Sequence, residues 1–206
     1  MPAHTPLFIT GIGTGIGKTI VSAVVTEKLK ADYWKPIQSG DLHDSDTLKV
    51  KALVANSQSI FHPEAYRLTQ PYSPHKSAAI DGIQIDPEKI IMPETSNRLI
   101  IEGAGGLMVP LNDTFLMIDL IKQLGVGVIL VSQNYLGSIN HTLLSIAQLK
   151  QYGINIAGII FNGKTDADSE NYILKYTGVK LLGRIPEFEN VDKEVIAQAG
   201  ELLDFN

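Results

Sequence analysis

Six short runs rich in valine and isoleucine, spaced by stretches of helical length, constrain this chain more than any other feature. They are LFITG (7–11), DYWKPI (32–37), RLIIEG (98–103), VGVILVSQ (126–133), INIAGIIFN (154–162) and KLLGRIP (180–186). Runs that are apolar on both faces are what strands buried between two helical layers require. The stretches between them read as helices over 17–30, 44–55, 114–124, 138–152, 167–176 and 192–203. The expectation is an α/β fold: a three-layer, doubly wound, mainly parallel β-sheet whose ligands sit at the carboxyl ends of the strands. Residues 57–97 break the rhythm. The segment FHPEAYRLTQPYSPHKSA is punctuated by proline and has no clear period, and it reads as an ordered excursion over one face. At 206 residues, a single domain spanning 1–206 is expected.

Between the first run and the first helix the chain reads ITGIGTGIGKT (9–19), with four glycines in seven residues. Ordering a glycine is unfavourable unless the backbone must turn sharply or approach something closely. The dinucleotide fingerprint G-x-G-x-x-G fails, because Ile16 or Lys18 falls where its last glycine belongs. The phosphate-loop template G-x-x-x-x-G-K-[ST] keeps its last three members as Gly17, Lys18 and Thr19, with Gly11 one residue early, so five residues intervene. A strand, a glycine-rich turn and a helix N-terminus carrying about +0.5 charge together make a phosphate site. In that template Lys18 bridges the β- and γ-phosphates and Thr19 ligates Mg²⁺ through its hydroxyl. The fold expected is therefore that of a P-loop NTPase.

Composition narrows the partners. A net charge of −5 argues against nucleic acid or an anionic membrane held by bulk charge. The absence of cysteine excludes disulfides, thiolate nucleophiles and cysteine-ligated metals. MPAHTP does not read as a leader and no apolar run is long enough to span a membrane, so a cytoplasmic protein is expected.

Three further residues stand where chemistry is expected. Lys35, in YWKPIQSG, ends the second run at the same sheet edge, and Pro36 fixes an extended exit behind it. Asp46, in HDSDTLKV, lies at a helix start, where a carboxylate also has a purely helix-stabilising role. Glu102, in LIIEGAGGLMVPL, ends an apolar strand where a buried carboxylate needs a metal, a lysine or water, and Gly103, Gly105 and Gly106 let backbone amides approach a ligand.

The segments GIGTGIGKT, WKPIQSG, DSDTL, QPYSPHKSAA, IEGAGGLMVPLNDTF, LGSINHTLL and LLGRIP resemble, in that order and at compatible spacing, the dethiobiotin synthetases. The resemblance spans residues 7–186, and it implies an ATP-dependent cyclo-ligase acting on 7,8-diaminopelargonic acid and CO2. It implies that Gly13, Thr14, Gly15, Ile16, Gly17, Lys18 and Thr19 bind ATP, with Asn162 and Pro186 at the base. Thr19, Asp46 and Glu102 match Mg²⁺ ligands. Lys18, Lys35 and Thr14 match residues at the reacting groups. Ser39, Gly103, Ala104, Gly105 and Gly106 match the substrate site. Ser138, Ile139 and Asn140 match a helix start that serves the neighbouring subunit, so a homodimer is implied. Gly15 departs from the acidic or amide residue frequent in the family, and Tyr135 from a lysine found in some members.

Other classes fit less well. Regulatory ATPases of the partition or septum-site type carry a second lysine five residues before the loop lysine, where this chain has Gly13. The ATP-dependent domain of corrin amidases needs an attached glutaminase with a cysteine nucleophile. A non-catalytic binding module has no need of Lys35, Asp46 and Glu102 beside a phosphate loop.

Overall fold

The computed structural model describes residues 5–205. The strands of the main sheet are β1 (Leu7–Gly11), β2 (Asp32–Trp34), β4 (Phe61–His62), β6 (Leu99–Gly106), β7 (Gly127–Ser132), β8 (Ile156–Asn162) and β9 (Leu181–Ile185). They run parallel in the order β4-β2-β6-β1-β7-β8-β9. A separate parallel pair joins β3 (Ile37–Ser39) to β5 (Tyr66–Leu68).

Both faces of the sheet are dry. In β1, Leu7 and Ile9 pack with residues of α1 (Lys18–Leu29), α2 (Asp46–Leu53) and α7 (Lys193–Gly200). Phe8 points the other way, into a cluster with Trp34, Ile101 and residues of α3 (Pro74–Ile80), α4 (Met117–Leu124) and α5 (Ser138–Gln151). Leu130 and Ile159 extend that second face beneath α5 and α6 (Ala167–Thr177). Each such side chain contributes about 1.5–3 kcal/mol through burial. This is the three-layer, doubly wound arrangement expected from the runs. The topology turns both ways from β1, so the crevice beside its carboxyl end is the natural ligand site.

Two expectations need correction. DYWKPI is not one strand: β2 stops at Trp34 and Ile37–Ser39 pairs with Tyr66–Leu68 instead. Pro36 has no N–H for the ladder, so the chain leaves the sheet there. The 57–97 excursion also does more than cover a face, because it supplies the edge strand β4, the strand β5 and α3.

Asp32 anchors that excursion. Its carboxylate is fully buried and accepts from the Ile60 N–H at 2.9 Å, Thr95 Oγ1 at 2.6 Å and Asn97 Nδ2 at 3.1 Å. Burial alone would raise its pKa, but these donors hold it below the ordinary value. Among the described residues no helix is long and apolar enough to cross a membrane.

Candidate active site

The loop between β1 and α1 takes its shape from two left-handed glycines, Gly15 at φ 75° and Gly17 at φ 84°. Lys18 opens α1 immediately after them. Its ammonium folds back to donate to the Gly13 carbonyl at 2.8 Å, and the residue is 8% exposed. Burial lowers its pKa to about 8, with Glu102 pulling upward and Lys35 downward.

Three other elements bring charge to the same place. The register pairs Ile9 with Glu102 and Tyr33 with Ile100, so Glu102 lies on the α1 face of the sheet, as Tyr33 does. Glu102 is buried; its Oε1 accepts from Thr19 Oγ1 at 3.0 Å and from Lys35 Nζ at 3.1 Å, and its Oε2 accepts from the Tyr33 hydroxyl at 2.9 Å. Lys35 follows β2 and also reaches Asp46 Oδ2 at 2.6 Å. Asp46 is the first residue of α2, whose N-cap Ser45 accepts from the Leu48 N–H. Burial alone would pull Lys35 down, but Glu102 and Asp46 push its pKa above the ordinary lysine value. Asp46 moves oppositely: against the upward pull of burial, Lys35, with the Thr19 hydroxyl, holds it low.

These groups line one cleft of about 640 Å³ at the carboxyl edge of the sheet, within the usual size for a small-molecule site. Thr14, Gly15, Gly17, Lys18, Thr19, Ser39, Ala104 and Gly105 are on its wall. Ser39 Oγ is buried with no hydrogen-bond partner, an orphan of the kind a ligand satisfies. Gly103 and Gly106 pack backbone against β1 and the loop: a Cβ would meet Phe8 Cε1 at 2.7 Å from Gly103 and the Gly11 carbonyl at 3.3 Å from Gly106.

The remaining expected residues lie elsewhere. Asn162 ends β8 and Pro186 follows β9; the ladder pairs Asn162 with Ile185, so the two adjoin at neighbouring strand ends. Ser138, Ile139 and Asn140 open α5 and do not line the cleft. Ser138 is buried, and Asn140 is exposed.

Several residues went unread in the sequence. Tyr33 is hidden in an apolar run, though it shares the strand parity of Lys35. Gln38 accepts from the Asp46 N–H at 3.2 Å and donates to the Gly40 carbonyl at 3.0 Å, bracing the start of α2. Tyr72 contributes to the cleft wall from the excursion, with the Lys76 ammonium 3.8 Å from its ring centroid.

The donor set suits a small hard cation. Two carboxylates and a hydroxyl converge where Lys35 now sits, and Mg²⁺ uses few protein oxygens because it keeps water and phosphate ligands.

A family model described as an AAA domain matches residues 5–195. The ATP-dependent dethiobiotin synthetase BioD of Christiangramia forsetii is 55% identical over 194 residues, covering 94% of this chain and 93% of that protein. The protein of the same name from Cytophaga hutchinsonii is 51% identical over 199 residues, covering 96% of each. Among solved structures, the septum site-determining protein MinD of Pyrococcus horikoshii, complexed with Mg-ADP, superposes with a TM-score of 0.60 at 16% identity, covering 96% of this chain and 95% of that one. A ParA family ATPase from Chlorobium tepidum gives 0.59 at 15% identity, covering 97% and 91%. These two likenesses speak for the fold alone. Two relatives more than half identical over nearly the whole length speak for more, and by them the chain belongs to the ATP-dependent dethiobiotin synthetase family.

Proposed function

We propose that the cleft closes a ureido ring at the expense of ATP. One amine of 7,8-diaminopelargonic acid takes up CO2 as a carbamate and releases a proton. A carbamate oxygen attacks the γ-phosphorus, ADP leaves, and the neighbouring amine displaces phosphate from the mixed anhydride to give dethiobiotin. The observation that carries this reading is the convergence of Lys18, Lys35, Thr19, Asp46 and Glu102 in one cleft beside a glycine-rich loop.

Phosphoryl transfer asks a protein for position and charge rather than covalent chemistry. Lys18, already held over its loop, answers the charge on the β- and γ-phosphates. Lys35 faces the carbamate and the transferred group from the opposite side. Thr14 and the orphan Ser39 hydroxyl supply hydrogen bonds to the carbamate, with amides of Ala104 and Gly105 along the wall. Thr19, Asp46 and Glu102 would hold Mg²⁺, which would neutralise phosphate charge. Asn162 and Pro186 stand for the base. The whole of 1–206 acts as one ATP-binding ligase domain.

The site is read as shared between two copies. Ser138–Asn140 open a helix whose N-terminal dipole suits a carboxylate, yet they lie outside the chain's own cleft. Leu136, Met108 and Leu144 are exposed beside them or beside the loop, an apolar surface that a second copy would cover. Sizing chromatography of active protein tests this, and an active monomer rejects it.

Phosphate release with MgATP and bicarbonate, with and without the diamine, tests the reaction. Release that needs the diamine and yields a product of dethiobiotin mass supports it; release indifferent to the diamine overturns it.

A further inference from the structure

Asn162 does something in this structure that a base contact does not require. From the end of β8 its side-chain amide donates to the Ile16 carbonyl at 2.9 Å, across 146 residues of sequence. That carbonyl belongs to the peptide preceding Gly17, the left-handed residue that caps α1. At Gly17 the φ of 84° calls for glycine, and a Cβ there would lie 2.2 Å from Asn162 Nδ2, displacing the amide from its place. The Ile16 side chain is buried, packed so that a Cβ on Gly11 would come 2.2 Å from its Cδ1. The Ile16–Gly17 peptide is thus anchored on one side by the core and on the other by Asn162.

A trans peptide is planar, with its C=O and N–H pointing in opposite directions. Holding the Ile16 carbonyl toward β8 turns the Gly17 N–H away from β8, and Gly17 lines the cleft. We propose that Asn162 is a positioning residue for phosphate binding, which aims the Gly17 amide into the cleft by gripping the Ile16 carbonyl. This rests on reading the cleft as a nucleotide site. The strand end beside the base thereby sets the shape of the loop beneath the phosphates, independently of any base.

A ligand without a base isolates the role: inorganic tripolyphosphate with Mg²⁺, titrated calorimetrically against the full chain and against Asn162→Leu, which keeps the bulk, loses the donor and adds no charge. Loss of one such bond should weaken tripolyphosphate binding by about tenfold. The ligand-free melting temperature should fall by only a few degrees, while the rise caused by tripolyphosphate shrinks. Asn162→Ser provides the same measurement should leucine at this position prevent folding. Unchanged tripolyphosphate affinity together with weakened ATP affinity would overturn the proposal and leave Asn162 a base contact. Parent protein that binds neither ATP nor tripolyphosphate would overturn the nucleotide reading itself, and the brace with it.

Discussion

Lys35 Nζ lies 2.6 Å from Asp46 Oδ2, and the same ammonium touches Glu102 Oε1 at 3.1 Å, so one cation separates two carboxylates from different elements. Breaking a buried pair by removing one partner typically costs about 3–5 kcal/mol. Lys35→Met should fall near the lower end in urea denaturation, because Asp46 keeps some exposure. Mg²⁺ should raise the melting temperature of this variant more than that of the parent. Single-turnover chemistry should slow by about 10²–10³-fold, with ATP affinity much less affected.

Lys18→Met should separate stability from activity. The folded lysine loses its proton near pH 8, chiefly because it is buried, whereas the unfolded one keeps it to about pH 10.4. Between those values the unfolded chain binds more protons, so parent stability rises with pH; below them the burial penalty is fully present. At pH 7 the variant should therefore be more stable without ligand, by up to about 3 kcal/mol. That advantage should narrow above pH 8 in denaturant titrations. Turnover should be lost at every pH.

Asp32→Ala removes the acceptor shared by three donors that tie the excursion to β2. Leaving such donors buried and unpaired should cost about 3 kcal/mol. Because the folded carboxyl sits below its ordinary value, its contribution is complete above the unfolded pKa and disappears as pH falls through the folded one. Parent and variant should thus differ fully at pH 7 and converge only in acid, as a pair of denaturation series would show.

Tyr33→Phe keeps the ring and deletes one hydroxyl. Glu102 Oε2 then loses its 2.9 Å donor within the core. A cost of about 1–3 kcal/mol is expected in urea. Burial, reinforced by Glu102, holds the Tyr33 phenol far above its ordinary pKa, so the effect should be the same at pH 6 and pH 9.

Much of this was legible in the chain because it depends on local rules. Strand-sized apolar runs gave the layers, and the spacing of Gly17, Lys18 and Thr19 gave the loop. Asp46 reads as a helix start, and Ser45 and Asp46 stand there as cap and first residue. Strand order was not legible, since no run carries a mark of its neighbour. Tyr33 was not either: its hydroxyl matters only because β2 and β6 are adjacent in a register that sets it beside Glu102. The split at Pro36 was within reach, because proline cannot serve a central ladder.

The placement of β1 also governs how the molecule comes into being. Leu7 pairs with Ile100 on one side and Gly127 on the other, so both flanks of β1 are covered by strands from much later in the chain. Until those strands dock, LFITG and its glycine loop lack their neighbours, and pairings this distant form slowly. Position in the chain and position in the sheet are therefore opposed: the strand at the centre is secured only by remote partners.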